Sequence, residues 1–177
     1  MDILISSNLE RLLYIVCGAE KCAGYMKQLN ETGEYTITKQ ELAQIRELID
    51  AGYADDKASY ETIKAVYDKY GYLMDTHTAV AWSVYEKWAK ESGNTDTCVV
   101  LSTASAYKFA SSVMTALEQD FNDEFDAVSK LNSYTGVSVP YGLDDIENRQ
   151  IIHTTVLEKG EMMDFVGKMI AKKDWTK

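Results

Sequence analysis

Apolar side chains recur every three or four residues along most of the chain, which is the spacing of helices that bury one face. In the first stripe the apolar positions run from Leu9 to Met26, and the helix that they predict ends at the Thr32-Gly33 break. The same spacing recurs down the chain. The predicted helices cover residues 8–31, 38–50, 59–70, 75–92, 105–117, 123–131 and 161–172.

Polar residues at the starts of three of these stripes have the form of helix caps. Thr38, with Glu41 three residues later, forms a capping-box pattern. Ser59 is the candidate cap of the third helix, and Asp75 that of the fourth. We interpret Asp75 as a cap rather than a catalytic acid, because no second carboxylate lies at a spacing that suggests paired acid and base chemistry.

Two segments have the composition of strands. Residues 97–101 are β-branched and apolar on both faces, as expected of a strand buried in a mostly parallel sheet. Residues 151–157 alternate and branch like a second strand, and Tyr53 marks a weak third candidate. A compact α/β domain needs several strands for its helices to cover. The fold is therefore either mostly helical or a portion of something larger.

The junction VVLSTASAYKF, residues 99–109, runs from the better strand candidate into a helix. In α/β proteins ligands bind where a strand ends and the next helix begins. This junction offers the hydroxyls of Ser102, Thr103 and Ser105, and it places Lys108 in the first turn of the helix. The alternative is structural: Ser105 caps the helix and Lys108 points into water.

Charge and composition narrow the function classes. The 177 residues carry a formal net charge of −10, which repels phosphate backbones and anionic lipids, so neither nucleic acid nor a membrane is an expected partner. No apolar run is long enough to span a bilayer, and the first residues lack a signal-peptide pattern, which favours a cytoplasmic location. Cys17, Cys22 and Cys98 fit reduced, buried thiols better than a disulfide framework or a metal site.

Four segments in order resemble the carboxy-terminal part of threonine synthase. They are SSNLERLL at 6–13, DTHTAVAW at 75–82, VVLSTASAYKF at 99–109 and VPYGLDDIENRQIIHTTVLEKGEM at 139–162. The resemblance covers nearly the whole chain. Two departures are Thr76 and Ala106, which stand where the family often has proline at a helix start; they change helix entry more than chemistry.

The resemblance implies a fold and a reaction. Threonine synthases are pyridoxal phosphate (PLP) enzymes of the tryptophan-synthase-like class, which convert O-phosphohomoserine and water to L-threonine and phosphate. Residues 1–177 would then form a helix-rich, partial three-layer α/β domain with few strands. The family's strand-end threonine, which faces the pyridine nitrogen of the cofactor, corresponds to Thr103, with Ser102 as the alternative one residue away. A neutral hydroxyl there leaves that nitrogen largely unprotonated.

Four further residues are candidates for substrate binding. An ammonium or guanidinium group suits the phosphate or carboxylate of the substrate, and a histidine beside the cofactor ring would shape the site. The candidates are Lys108, Arg11, Asn8 and His77. The structural alternatives are solvent exposure of the cations, an ion pair of Arg11 with Glu10, and a core position for His77.

The lysine that holds PLP as a Schiff base in this family follows a Ser-Phe pair, and no lysine here has that setting. A glycine-rich loop for the cofactor phosphate is also absent from the sequence. The chain is therefore interpreted as a carboxy-terminal fragment that is inactive by itself and does not bind PLP stably. An uncovered strand edge would favour a homo-oligomer.

Two alternatives remain. The chain could belong to another PLP enzyme of the same class, or it could be a free-standing, non-catalytic helical module for binding or interaction.

Overall fold

The computed structural model describes residues 5–172 and is built from helices. The α-helices are α1 (Ser7–Thr32), α2 (Lys39–Arg46), α3 (Asp56–Tyr70), α4 (Thr76–Ser92), α5 (Ala110–Ala116), α6 (Glu124–Thr135) and α7 (Met162–Lys172). Short 3₁₀ helices cover Ala106–Phe109, Ile146–Asn148 and Lys159–Glu161. Within residues 5–172 there is no β-strand. No helix in this range is long and apolar enough to cross a bilayer.

Both strand predictions are wrong for this structure. Residues 97–101 and 151–157 make no strand pairing, and Tyr53 lies in an irregular segment. Most of their apolar side chains face solvent: the exposed fraction is 80% for Val99, 73% for Leu101 and 93% for Val156. A strand needs a neighbour to accept and donate its backbone hydrogen bonds, and the described residues supply none. The helix-rich part of the fold prediction is confirmed, and the prediction of a few strands is not.

The helix predictions hold with local corrections. The third helix begins at Asp56 because Asp55, not Ser59, is its cap: the Asp55 carboxylate accepts from the Ala58 N–H at 2.8 Å. The Ser59 hydroxyl instead donates to the Asp55 carbonyl at 2.9 Å. The second helix ends at Arg46, short of the predicted end. The sixth continues to Thr135.

The chain divides into two compact units, residues 1–140 and 141–177. In the first, α3 packs on α4 and α5, and α5 packs on α6. Most of the fully buried side chains of this core are apolar. They include Ile63 of α3, Ala79 of α4, Val113 and Met114 of α5, and Ala127 and Leu131 of α6. The second unit holds two 3₁₀ helices and α7.

Helix α1 does not bury the continuous stripe that its sequence predicts. Gly18 interrupts it with φ 81° and ψ 169°, a conformation that glycine adopts without steric cost. The Cys22 thiol consequently lies 3.5 Å from the Glu10 carbonyl, twelve residues away, although a straight helix separates such residues by about 18 Å. Cys22 is buried, Cys17 half-buried and Cys98 exposed, so the prediction of buried thiols is wrong for Cys98.

A buried carboxylate joins α1 to α2. Glu41 is 3% exposed and accepts from the Thr38 N–H at 2.8 Å, which completes the predicted capping box. It also accepts from the Tyr25 hydroxyl at 2.7 Å and pairs with Lys21 at 3.1 Å. The hydrogen bonds from Thr38 and then from Tyr25 lower the pKa of Glu41 from 4.5 to about 2.

We predict that Glu41→Gln destabilises the protein at neutral pH and that the difference from the parent shrinks in acid. The pKa of Glu41 is lower in the folded chain, so its contribution is complete above pH 4.5 and is lost as the pH falls towards 2. Urea unfolding at pH 6 and pH 3 measures this difference. Glu47→Gln, an exposed position at the end of α2, is the control. A Glu41→Gln difference that does not change with pH would contradict the prediction.

Candidate functional site

The site is built on a buried carboxylate at the start of α4. Asp75 has no exposed side-chain area, and it accepts hydrogen bonds from the N–H groups of His77 at 2.9 Å and Thr78 at 3.3 Å. These N–H groups belong to the first turn of a helix and have no partner within it. The predicted capping role of Asp75 is confirmed.

Thr78 links this carboxylate to the hydroxyl-rich junction. Its Oγ1 makes a short hydrogen bond to Asp75 Oδ2 and lies 3.3 Å from Ser102 Oγ. A threonine hydroxyl has one hydrogen, and the carboxylate can only accept. The Thr78 hydroxyl therefore donates to Asp75, and the Ser102 hydroxyl donates to Thr78. This chain of hydrogen bonds, Ser102 to Thr78 to Asp75, fixes one end of the junction against α4.

Alternate residues of the junction differ in what they contact. Val100 lines a cavity with Met74 and Thr78, and Ser102 bonds to the same threonine. Leu101, which lies between Val100 and Ser102, is exposed, and so is Thr103, which follows Ser102. In the part of the chain that the structure describes, the Thr103 hydroxyl has no hydrogen-bond partner. Ser102 and Thr103 are thus adjacent hydroxyls with different availability.

Phe109 brings two of the candidate substrate-binding residues together. The His77 ring centroid lies 4.9 Å from that of Phe109, and Lys108 Nζ lies 5.7 Å from the same ring. His77 Nδ1 is 3.3 Å from Asp75 Oδ1. Because a carboxylate only accepts, this contact places the ring hydrogen on Nδ1 and leaves Nε2 as an acceptor when the ring is neutral.

The other two candidates lie elsewhere. Arg11 and Asn8 are exposed in the first turns of α1, where the Arg11 guanidinium donates to the Asn8 side chain. Helix α1 packs on α2, and neither residue is among the groups that meet at the start of α4. Ser105 caps the 3₁₀ helix at Ala106–Phe109, accepting from the Tyr107 N–H at 3.3 Å, and Lys108 is exposed. Ser105 and Lys108 therefore occupy the positions that the structural alternative predicts, a helix cap and a solvent-exposed lysine.

Sequence reasoning did not single out Thr78 or Tyr107. Thr78 follows Asp75 by three residues, a spacing that allows a hydroxyl to reach a cap carboxylate, but its bond to Ser102 depends on tertiary contact. Tyr107 is 4% exposed, and its hydroxyl donates to the Val137 carbonyl, which also accepts from the Asn132 side chain at 2.8 Å. Tyr107 thus holds the junction to the loop after α6.

Comparisons with known proteins find relatives of this chain in one family. The family model "Threonine synthase, C-terminal" matches residues 78–160. The threonine synthase of Saccharomyces cerevisiae is 32% identical over 142 residues, which cover 71% of this chain and 28% of that protein. "Threonine synthase-like 1" of Macaca fascicularis is 27% identical over 168 residues, covering 93% of this chain and 21% of that protein.

A solved structure, PLP-bound threonine synthase from Brucella melitensis, superposes with a TM-score of 0.65 at 32% identity and covers 94% of this chain and 32% of that one. The chain thus spans about a fifth to a third of the length of these relatives. These similarities define a class of proteins that includes an enzyme whose structure was solved with PLP bound. The chain belongs to the threonine synthase family.

We predict that Thr78→Val lowers the free energy of unfolding by about 1–3 kcal/mol, because the buried Asp75 carboxylate loses a donor while the side chain keeps its volume. Urea unfolding monitored by circular dichroism measures the change. Thr115→Val is the matched control, since Thr115 is exposed and its hydroxyl bonds only to a carbonyl of its own helix. Equal effects of the two substitutions would show that the hydrogen-bond chain contributes nothing to stability.

Proposed function

We propose that this chain supplies the wall of a PLP-dependent threonine synthase that contacts the pyridine nitrogen, in an enzyme that converts O-phosphohomoserine and water to L-threonine and phosphate. The observation that carries the proposal is the exposed hydroxyl of Thr103, which has no partner within residues 5–172, beside a Ser102 that is bonded to Thr78. The family resemblance assigns the nitrogen contact to this residue. Its availability supports that assignment.

The surrounding groups fit a neutral partner for the pyridine nitrogen. Ser102 is a poorer candidate than Thr103, because its hydroxyl hydrogen is directed to Thr78. Asp75, the carboxylate of this cluster, is buried and satisfied by backbone N–H groups and Thr78. It does not compete for the nitrogen, so a hydroxyl contact would keep the nitrogen largely unprotonated. When bound, the cofactor supplies the electron sink for the chemistry at the substrate's α and β carbons.

Lys108 is the strongest candidate for binding the substrate phosphate. It is exposed next to the Thr103 segment, and among the described residues its ammonium has no carboxylate partner. Arg11 is the weaker candidate, because Asn8 already accepts one of its hydrogen bonds and both lie on α1. His77, oriented by Asp75 and by contact with Phe109, would shape the wall beside the cofactor.

The proton transfers of the reaction require the family's lysine that follows a Ser-Phe pair. No lysine in this chain has that setting, so we place this lysine outside the matched motifs. We therefore propose that residues 1–177 form one portion of the active enzyme, act only together with the remainder, and have no activity alone. The solvent-exposed apolar side chains of residues 97–101 and 151–157 support this, because they resemble strands whose neighbours lie in other polypeptide.

A second candidate is the function of the threonine synthase-like proteins. The alignment with one of them covers 93% of this chain. The sequence features of Thr103 do not separate the two. Phosphate release from O-phosphohomoserine does, because it is the reaction that the first proposal requires.

The test is a chimaera in which this chain replaces the matched region of the Saccharomyces cerevisiae enzyme. We expect cofactor absorbance and phosphate release from O-phosphohomoserine. Thr103→Val should lower turnover about tenfold, because it removes one hydrogen bond to the cofactor. Thr97→Val, an exposed position earlier in the same segment, should have no effect. A folded, cofactor-loaded chimaera that is unaffected by Thr103→Val would refute the assignment of Thr103.

In the same chimaera, Lys108→Ala should raise the KM for O-phosphohomoserine about tenfold and leave kcat nearly unchanged, because the contact forms with the substrate phosphate before the reaction. Steady-state phosphate release measures both constants. Lys90→Ala removes an equal charge near the end of α4 and should change neither. An unchanged KM in the Lys108→Ala variant would remove Lys108 from the site.

A further inference from the structure

A cavity of about 410 Å³ lies between α3, α4 and the segment that leads into α5. Its volume falls in the range of small-molecule sites. Residues from the first turns of α3 and α4 form its polar side. The lining includes Asp56, Ser59, Tyr60, His77, Phe109 and Ser112.

Three of the polar side chains that line the cavity can act as hydrogen-bond acceptors. The Asp56 carboxylate can only accept. The Ser59 hydroxyl gives its hydrogen to the Asp55 carbonyl, so it presents lone pairs. Neutral His77 has its hydrogen on Nδ1, towards Asp75, which leaves Nε2 as an acceptor. Asp56, Ser59 and His77 can therefore each accept a hydrogen bond from a ligand.

Other residues of the lining are apolar or aromatic. Phe109 and Tyr60 supply rings, and Val80 supplies an aliphatic surface. Among residues 5–172, no lysine or arginine lines the cavity. Lys108 is exposed, and its Nζ lies 5.7 Å from the centroid of the Phe109 ring. The cavity thus combines one negative charge with aromatic faces, a combination that attracts cations and disfavours anions.

We propose that this cavity binds a small primary amine that carries a ring or a short hydrocarbon group. A protonated amine has three donors and no acceptor, which complements Asp56, Ser59 and His77. Its apolar part fits against Phe109 and Tyr60. The lining of this cavity does not include Thr103, but it shares His77 with the wall proposed for the cofactor. The test does not depend on the proposed threonine synthase reaction, because binding is measured without cofactor or substrate.

The test compares three probes of nearly equal size on the full chain: benzylamine, benzyl alcohol and benzoate. We expect saturable binding of benzylamine with a Kd of about 1 mM, weaker binding of benzyl alcohol and none of benzoate. Isothermal titration calorimetry gives the affinities. Shifts of the His77 ring signals in NMR spectra locate the bound amine. Absence of saturable benzylamine binding, or equal binding of the three probes, would overturn the proposal.

Variants identify the groups responsible. Asp56→Asn should weaken benzylamine binding about tenfold, because it removes the charged acceptor. Glu86→Gln loses the same charge from an exposed position on α4 and should leave the affinity unchanged. Ser112→Leu should abolish binding by filling the cavity without a change in charge. Equal affinities of the Asp56→Asn and Glu86→Gln proteins, with circular dichroism of both like the parent, would refute the role of Asp56.

Discussion

The candidate site depends on the need to satisfy one buried carboxylate. An unpaired charge in the Asp75 position would cost far more free energy than the fold could supply, so donors must surround it. The first turn of α4 provides two backbone N–H groups, and Thr78 provides a hydroxyl. Since Thr78 then accepts from Ser102, the constraint extends to the junction, where the Thr103 hydroxyl has no hydrogen-bond partner among the described residues.

The Asp75 carboxylate also orients His77, which lines the cavity proposed to bind an amine. His77 donates from Nδ1 to Asp75 and rests against Phe109. Phe109 in turn adjoins Lys108, the candidate phosphate contact. The start of α4 therefore organises two neighbouring regions with different chemistry. One is a junction with the exposed Thr103 hydroxyl and an exposed lysine, and the other is a cavity lined by three acceptor side chains.

Residues 97–101 and 151–157 have the sequence pattern of strands but form none. Their β-branched, apolar composition is that of buried strands, yet Val99 and Val156 are exposed. Composition describes the environment that a segment suits, whereas a strand exists only when a neighbouring backbone pairs with it. This chain covers 28% of the length of the Saccharomyces cerevisiae relative, and the described residues hold no neighbour for either segment.

The sequence by itself determined the features whose partners lie within a few residues. The capping box of Thr38 and Glu41, the cap at Asp75 and the helix ends at Gly33 and Gly71 follow from local hydrogen bonds and backbone freedom, and they were predictable for that reason. The junction's hydroxyls were also visible in the sequence. Only the tertiary structure decided which of them is free, because the group that engages Ser102 is Thr78, 24 residues away on another element.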